Sequence, residues 1–308
     1  MASVYLYSTR HLLHGLPHQG IGTLIVDRDR VRFIAELLRG LGGFLECFER
    51  ADPQFSAVRQ VVERLGCGKS AVLVVANSLV SYQLSTTGEV YWTEFAKWVV
   101  SSAGGLYEVH RGFLESTRFN RARLLDKLDR LSRFYASRLA AELEADPLRY
   151  CGNLQGLVEE LARTVGGSPE DKTIAFAGKM LRYVCLACGS ETRGDVAVPV
   201  DRRNALLLLA GCLVRGCGGS LDECVGLLMT RQKRTALAAL RELCATAGVD
   251  CVKLDALTWA LAGALTGRRR MDEILEAVKG CLGGERIEIL SELYSEFSKC
   301  LEPRTKGV

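Results

Sequence analysis

From Arg28 onward, apolar residues return every three or four positions with hardly a break, as in Val31, Ile34, Leu37, Leu38 and Leu41. That is the period of an α-helix with one buried face, whereas a half-buried strand repeats every second residue. The pattern predicts an all-α fold, with helices near 28–49, 53–65, 69–84, 90–103, 120–142, 153–165, 169–188, 202–215, 231–246, 254–266, 271–281 and 285–300. The valine-rich run Ala71 to Val75 resembles a strand taken alone, but it continues into Leu79, Val80 and Leu84 at helical spacing and is assigned as a buried helix. Two short runs of β-type residues, Val4 to Tyr7 and Thr23 to Val26, could pair as a small N-terminal β annex. The longest irregular stretch in mid-chain runs from Gly189 to Val200.

With 308 residues, 48% of them apolar, the chain can bury a substantial core. Its longest apolar stretches, Ala205 to Val214 and Ala256 to Leu265, fall short of the roughly 18 residues a membrane span requires. No membrane helix is expected, and Met1 to Gly20 lacks the continuous apolar run of a secretory signal, so a cytoplasmic location is expected. A net charge of +4 permits nucleic-acid binding without demanding it. Arg118, Arg121, Arg123, Lys127, Arg130, Arg133 and Arg138 concentrate that charge, as a solvated helix face or as a contact for phosphate.

Twelve cysteines without a secretion signal point to reduced thiols or small buried apolar side chains, with disulfides expected only for a hyperthermophilic source. Cys185 and Cys188 form the one CxxC, and no second pair of matching spacing accompanies it, so no metal site is expected. His11, His14 and His18 are separated by Gly15 and Pro17, which break any helix that would align them. His110 stands alone, so a histidine dyad has no support.

Chemistry concentrates around Leu161 to Phe176, where two helical patterns meet at Gly166-Gly167-Ser168-Pro169. The glycines suit a tight hairpin whose backbone can approach a phosphate, and Ser168 is expected to cap the second helix with Pro169 at its first position. Lys172 then falls in the first turn, where the positive end of the helix disfavours an ammonium while Glu170 and Asp171 favour one. Phe176, four residues on, shares its face. Pro199-Val200-Asp201 follows, with Asp201 opening the next helix; a cap is the ordinary role of such an aspartate. Asp255 and Trp259 share a helix face by the same four-residue rule, and Trp259 is by default a core residue.

Six fragments resemble, in order and spacing, the archaeal GO glycosylases, a branch of the helix-hairpin-helix DNA glycosylases that excises 8-oxoguanine. They are Asp52-Pro-Gln54-Phe-Ser-Ala-Val, Asn77-Ser-Leu-Val-Ser-Tyr82, Trp92-Thr-Glu-Phe95, Asp171-Lys172-Thr-Ile-Ala-Phe176, Pro199-Val-Asp201 and Leu254-Asp255-Ala-Leu-Thr-Trp259. The resemblance covers most of residues 30 to 265. It departs from the superfamily's usual Gly-Pro-Asp turn, and the segments up to Asp27 and around Tyr135 to Asn153 exceed what the family needs.

The resemblance implies two helical domains around an active cleft: 75–201 with the hairpin, and 28–74 joined to 202–308, preceded by an extension over 1–27. It implies a bifunctional enzyme in which Lys172 attacks the sugar C1′ and Asp201 assists. Phe176 and Trp259 would sandwich the flipped base, Gln54, Trp92 and Asp255 would contact it, and Gly166, Gly167 and Ser168 would hold the DNA backbone. The partner would be double-stranded DNA containing oxidised guanine, bound by a monomer, with no cofactor and no iron–sulfur cluster, since Cys281 and Cys300 stand apart. A glycosylase for another damaged base is the alternative enzyme. A non-catalytic helix-hairpin-helix module is the alternative of another class, and it would need neither Lys172 nor Asp201.

Overall fold

The computed structural model describes residues 22–301. The chain enters through a short strand β1 (Ile25–Val26), followed by α1 (Arg28–Leu41) and α2 (Leu45–Arg50). It then builds a run of helices: α3 (Pro53–Leu65), α4 (Cys67–Val80), α5 (Gly88–Ser101), α6 (Leu106–Ser116), α7 (Leu124–Tyr135), α8 (Arg138–Ala145), α9 (Pro147–Cys151), α10 (Leu154–Val165) and α11 (Lys172–Ala187). After an irregular crossing segment come α12 (Arg202–Ala210), strand β2 (Val214–Arg215), α13 (Leu221–Met229), α14 (Lys233–Ala247), α15 (Cys251–Leu265), α16 (Met271–Leu282) and α17 (Gly284–Ser298).

Two hydrophobic cores divide this chain. A middle lobe packs α3 to α11 around Val58, Leu73, Tyr91, Phe95, Phe134 and Leu181. A terminal lobe packs α1, α2 and α12 to α17 around Ile34, Leu38, Leu208, Leu240, Leu257 and Leu293. The segment 53–74, grouped from sequence with the terminal helices, packs instead into the middle lobe, because Phe55, Val58, Val61 and Val72 all face its core. The chain changes lobes at Ala51 and Asp52, where the buried Asp52 ends one helix pair and caps α3 by accepting from the Gln54 amide at 2.8 Å.

Helix α4 anchors the middle lobe. Every residue from Ser70 to Val80 is buried, so the Ala71 to Val75 stretch is the central helix its spacing predicts. Helices α6 and α13 were not anticipated; each follows a glycine pair, Gly104-Gly105 and Gly218-Gly219, that obscures its start. The long helix expected over 120–142 is divided at Ser137, which caps α8 by accepting from the Ala140 amide.

β1 pairs antiparallel with β2, Ile25 opposite Arg215 and Val26 opposite Val214. Of the two runs expected to pair with each other, Thr23 to Val26 instead supplies Ile25 and Val26 to a two-residue ladder with a strand of the terminal lobe. Val4 to Tyr7 and the three N-terminal histidines lie outside the described residues. No helix among the described residues is long and apolar enough to cross a membrane.

The cysteines depart from expectation. All twelve are paired: Cys47–Cys281, Cys67–Cys188, Cys151–Cys185, Cys212–Cys300, Cys217–Cys224 and Cys244–Cys251. Their Cα separations of 5.4–6.1 Å lie in the normal range for a bridge. Members of a pair stand as far as 234 residues apart in sequence, so cysteine spacing could not reveal them. Cys185 and Cys188, the CxxC, go to different partners.

Candidate active site

A cleft of about 460 Å³ opens between the lobes. Gln54, Trp92, Lys172, Phe176, Asp201, Asp255 and Trp259 all line it, drawn from five helices spread over more than two hundred residues. Their convergence follows from the lobe division: α3, α5 and α11 form one wall, and α12 and α15 the other.

Lys172 occupies the first position of α11 and is exposed. The turn before it differs from expectation. Ser168 does not cap α11; Ser168 to Asp171 form a tight turn closed by the Asp171 amide donating to the Ser168 carbonyl at 2.9 Å, and Asp171 stands at the cap position. The Asp171 carboxylate turns back instead to accept from the Ser168 amide at 2.9 Å. Asp171 also pairs with Lys233 at 3.4 Å, and Glu170 pairs with Arg241. Both acids beside Lys172 thus meet cations of α14 across the lobe boundary.

The hairpin glycines have separate reasons. Gly166 ends α10 at φ +73°, a left-handed conformation that disfavours a side chain. A Cβ on Gly167 would come 2.8 Å from an Asp171 carboxylate oxygen and 3.0 Å from the end of the Ile174 side chain, so a side chain there would have to displace one or both. The consequence is a compact turn with Gly166, Gly167 and Ser168 exposed at its tip.

Asp201 caps α12, its Oδ1 accepting from the amides of Arg203 and Asn204, both at 3.0 Å. The approach along Val198-Pro199-Val200 is buried, and Asn204 Nδ2 donates to the Pro199 carbonyl at 2.9 Å, locking the segment against the helix it starts. Asp201 is therefore both a cap and a cleft residue.

Among the aromatics, Trp92 is buried and meets Phe176 edge to face at 6.1 Å. Trp259 carries the Arg203 guanidinium 4.8 Å from its ring centroid, and Arg203 reaches across the cleft to Glu89 of α5 at 3.1 Å.

Beneath these residues lies a buried polar group that sequence reasoning missed. Lys179, only 2% exposed, contacts Asp255 Oδ2 at 2.7 Å, Asp52 Oδ2 at 3.2 Å and Gln54 Oε1 at 3.4 Å. Burial opposes its charge, but the carboxylates of Asp255 and Asp52 more than offset that and hold the ammonium above its ordinary range. The other oxygen of Asp255 accepts from Asn204 Nδ2 at 3.1 Å, and the Tyr183 hydroxyl donates to Asp52 at 2.7 Å. One helix turn further, Arg182 forms a two-point pair with the fully buried Glu49, at 2.7 and 2.6 Å.

The sequence carried only part of this signal. Lys172, Phe176 and Lys179 follow the spacing i, i+4, i+7 and so mark a single stripe along α11. His110 is fully buried, and burial lowers it to about 3, so it remains neutral and remote from the cleft. Arg133 and Arg138, considered for DNA contact, pair within their own helices with Asp129 and Glu142. Among the described residues, no group of three or more histidines, cysteines or carboxylates is arranged to hold a metal ion.

Comparison with known proteins brings these features under one heading. Residues 35–294 match the family model described as AGOG, N-glycosylase/DNA lyase. An N-glycosylase/DNA lyase of Thermococcus kodakarensis is 35% identical over 164 residues, which are 51% of this chain and 62% of that protein. The chain thus spans under two thirds of that relative's length. The N-glycosylase/DNA lyase of Pyrobaculum aerophilum is 30% identical over 244 residues, 76% of this chain and 86% of that protein. A solved structure of the 8-oxoguanine DNA glycosylase from Pyrobaculum aerophilum, complexed with 8-oxoguanosine, shares the fold, with a TM-score of 0.66 and 24% identity over 86% of this chain and 96% of that one. With its family match running through both lobes and the cleft between them, the chain belongs to the AGOG family of N-glycosylase/DNA lyases.

Proposed function

We propose that the chain is a bifunctional DNA repair enzyme that excises 8-oxoguanine from duplex DNA and then cuts the strand at the resulting site. The observation that carries this reading is the meeting of Lys172, at the start of α11, with Asp201, at the start of α12, in one cleft walled by Trp92, Phe176 and Trp259. A binding module has no use for an amine and a helix-capping carboxylate that line one cleft.

The target base must leave the duplex to enter such a cleft, and stacking on Phe176 and Trp259 repays part of the cost of unstacking. As the bond from C1′ to the base breaks, positive character builds on the sugar, and the Asp201 carboxylate stabilises it. The neutral amine of Lys172 attacks C1′, and the base departs with the bonding electrons. Opening of the sugar ring gives a protonated Schiff base on Lys172. Loss of a C2′ proton then expels the 3′ phosphate by β-elimination, and water releases the enzyme. The departing base takes up the proton shed by the Lys172 nitrogen, and the opened sugar oxygen takes one from solvent, so the steps balance without any change of oxidation state.

Preference for the oxidised base rests on Gln54. Guanine N7 accepts a hydrogen bond, whereas 8-oxoguanine carries a hydrogen there, so an amide oxygen favours the lesion. Lys179, 3.4 Å from Gln54 Oε1, fixes which end of the amide is the oxygen. Asp255 contributes an acceptor for the base edge, and the Ser168 hydroxyl at the exposed tip of the hairpin offers a donor to a DNA phosphate, the amides of Gly166, Gly167 and Ser168 being engaged within the turn.

The experiment is single-turnover excision from duplexes carrying 8-oxoguanine, a panel of other damaged bases, or guanine, with wild type and Gln54→Leu. Preferred release of 8-oxoguanine, reduced about tenfold or more in the variant by loss of one buried hydrogen bond, is expected. Preference for another lesion would keep the enzyme class and replace the substrate.

A further inference from the structure

Trp259 lines two spaces: the cleft, which Arg203 also lines, and a crevice of about 10 Å³ that Arg269 and Asp52 line and Arg203 does not. A guanidinium lies against the indole from each region, Arg203 at 4.8 Å and Arg269 at 5.3 Å from the ring centroid. The ring has no other polar anchor: its Nε1 is buried without a hydrogen-bond partner. A tryptophan whose N–H finds no acceptor depends on stacking and packing for its orientation.

The two arginines cannot play the same part. Arg203 stands on the side from which a flipped base would stack, so a bound base takes its position. Arg269 stands behind and is untouched by base entry. Its stem passes over Gly263, one helix turn beyond Trp259, where an added Cβ would meet the Arg269 side chain at 3.5 Å, and its amide donates to the Gly263 carbonyl at 3.2 Å. The bare surface of α15 at Gly263 gives the arginine its lane back to the indole.

We propose that Arg269 is a positioning residue for base excision, stacking behind Trp259 to hold the indole plane at the cleft wall. This rests on the reading of Trp259 as a base-stacking residue. Arg269 touches neither the sugar nor the reacting amine, so it influences the glycosylase step and leaves strand cleavage at a ready-made abasic site alone, because that reaction has no base to stack.

The test compares wild type, Arg269→Met, Arg269→Lys, Trp259→Ala and the double variant Arg269→Met/Trp259→Ala on two duplexes, one with 8-oxoguanine and one with a preformed abasic site. Arg269→Met is expected to slow excision about tenfold and change abasic cleavage by less than about threefold, with Arg269→Lys recovering part of the loss because a cation returns to the indole face. The double variant is expected to excise no more slowly than Trp259→Ala alone. Parallel loss of both activities in Arg269→Met and Arg269→Lys, unchanged excision, or a double variant slower than Trp259→Ala would each overturn the proposal. Unchanged excision by Trp259→Ala itself would instead overturn the stacking role on which it rests.

Discussion

Lys179 carries its charge where only two carboxylates and an amide make that tolerable. Removing one partner of such a buried pair leaves the others uncompensated, which costs about 3–5 kcal/mol. Lys179→Met is therefore expected to lower unfolding free energy by that amount in a denaturant titration, and a loss under about 1 kcal/mol would show the group to be more hydrated than its burial implies. His110 behaves oppositely. Its folded value lies below its unfolded one, so the stability of the neutral form is complete above about pH 6.5 and drains away as the pH falls toward about 3. Replacing it by glutamine should flatten the acid limb of an unfolding-midpoint profile between those values; an unaltered limb would place the acid sensitivity elsewhere. That Lys172 and Asp201 stand at helix starts was legible because each sits in a short ordered motif. Lys179 was not, because its meaning lies in Asp52 and Asp255, 127 residues before it and 76 after, which only the folded chain brings together.

At the level of helices, spacing revealed α3, α10 and α11 through an apolar stripe, and α4 and α15 through long apolar runs buried on almost every side. It failed where glycine pairs precede a short helix, as with α6 and α13, and where a serine cap divides one pattern into two, as at Ser137. The hairpin itself was recognised, yet its cap was assigned three residues too early, because Ser168-Pro169 satisfies the usual N-terminal preference while the chain makes one more turn before the helix begins. Gly166 at φ +73° is the conformational keystone of that turn. Gly166→Ala should lower stability by about 1–2 kcal/mol through left-handed strain and weaken binding to undamaged duplex more than it slows cleavage once DNA is saturating. Binding unchanged across a salt series would remove the hairpin from the DNA contact.

Across the whole molecule, each disulfide joins residues of one lobe, while ion pairs cross between lobes: Lys179 with Asp52 and Asp255, Arg182 with Glu49, Arg203 with Glu89, and Lys233 and Arg241 with the hairpin acids. Disulfides cross-link each lobe internally, and ion pairs join one lobe to the other. Opening Cys47–Cys281 by a double serine substitution removes a long-range constraint on the unfolded chain and is expected to cost about 2–5 kcal/mol. Thermal unfolding would register the loss, and rates of excision at moderate temperature should hold; a fall in excision with no change in stability would tie that bridge to the cleft.

The central claim is that Lys172 forms the covalent link to DNA. Its most direct measurement is borohydride trapping on a duplex containing a single 8-oxoguanine, with wild type beside Lys172→Gln and the folding of both checked by circular dichroism. A protein–DNA adduct with wild type and none with the variant is the expected result. An adduct formed equally by both would give the nucleophile to another amine, and no adduct or strand cleavage with either would contradict the lyase reading for this lesion.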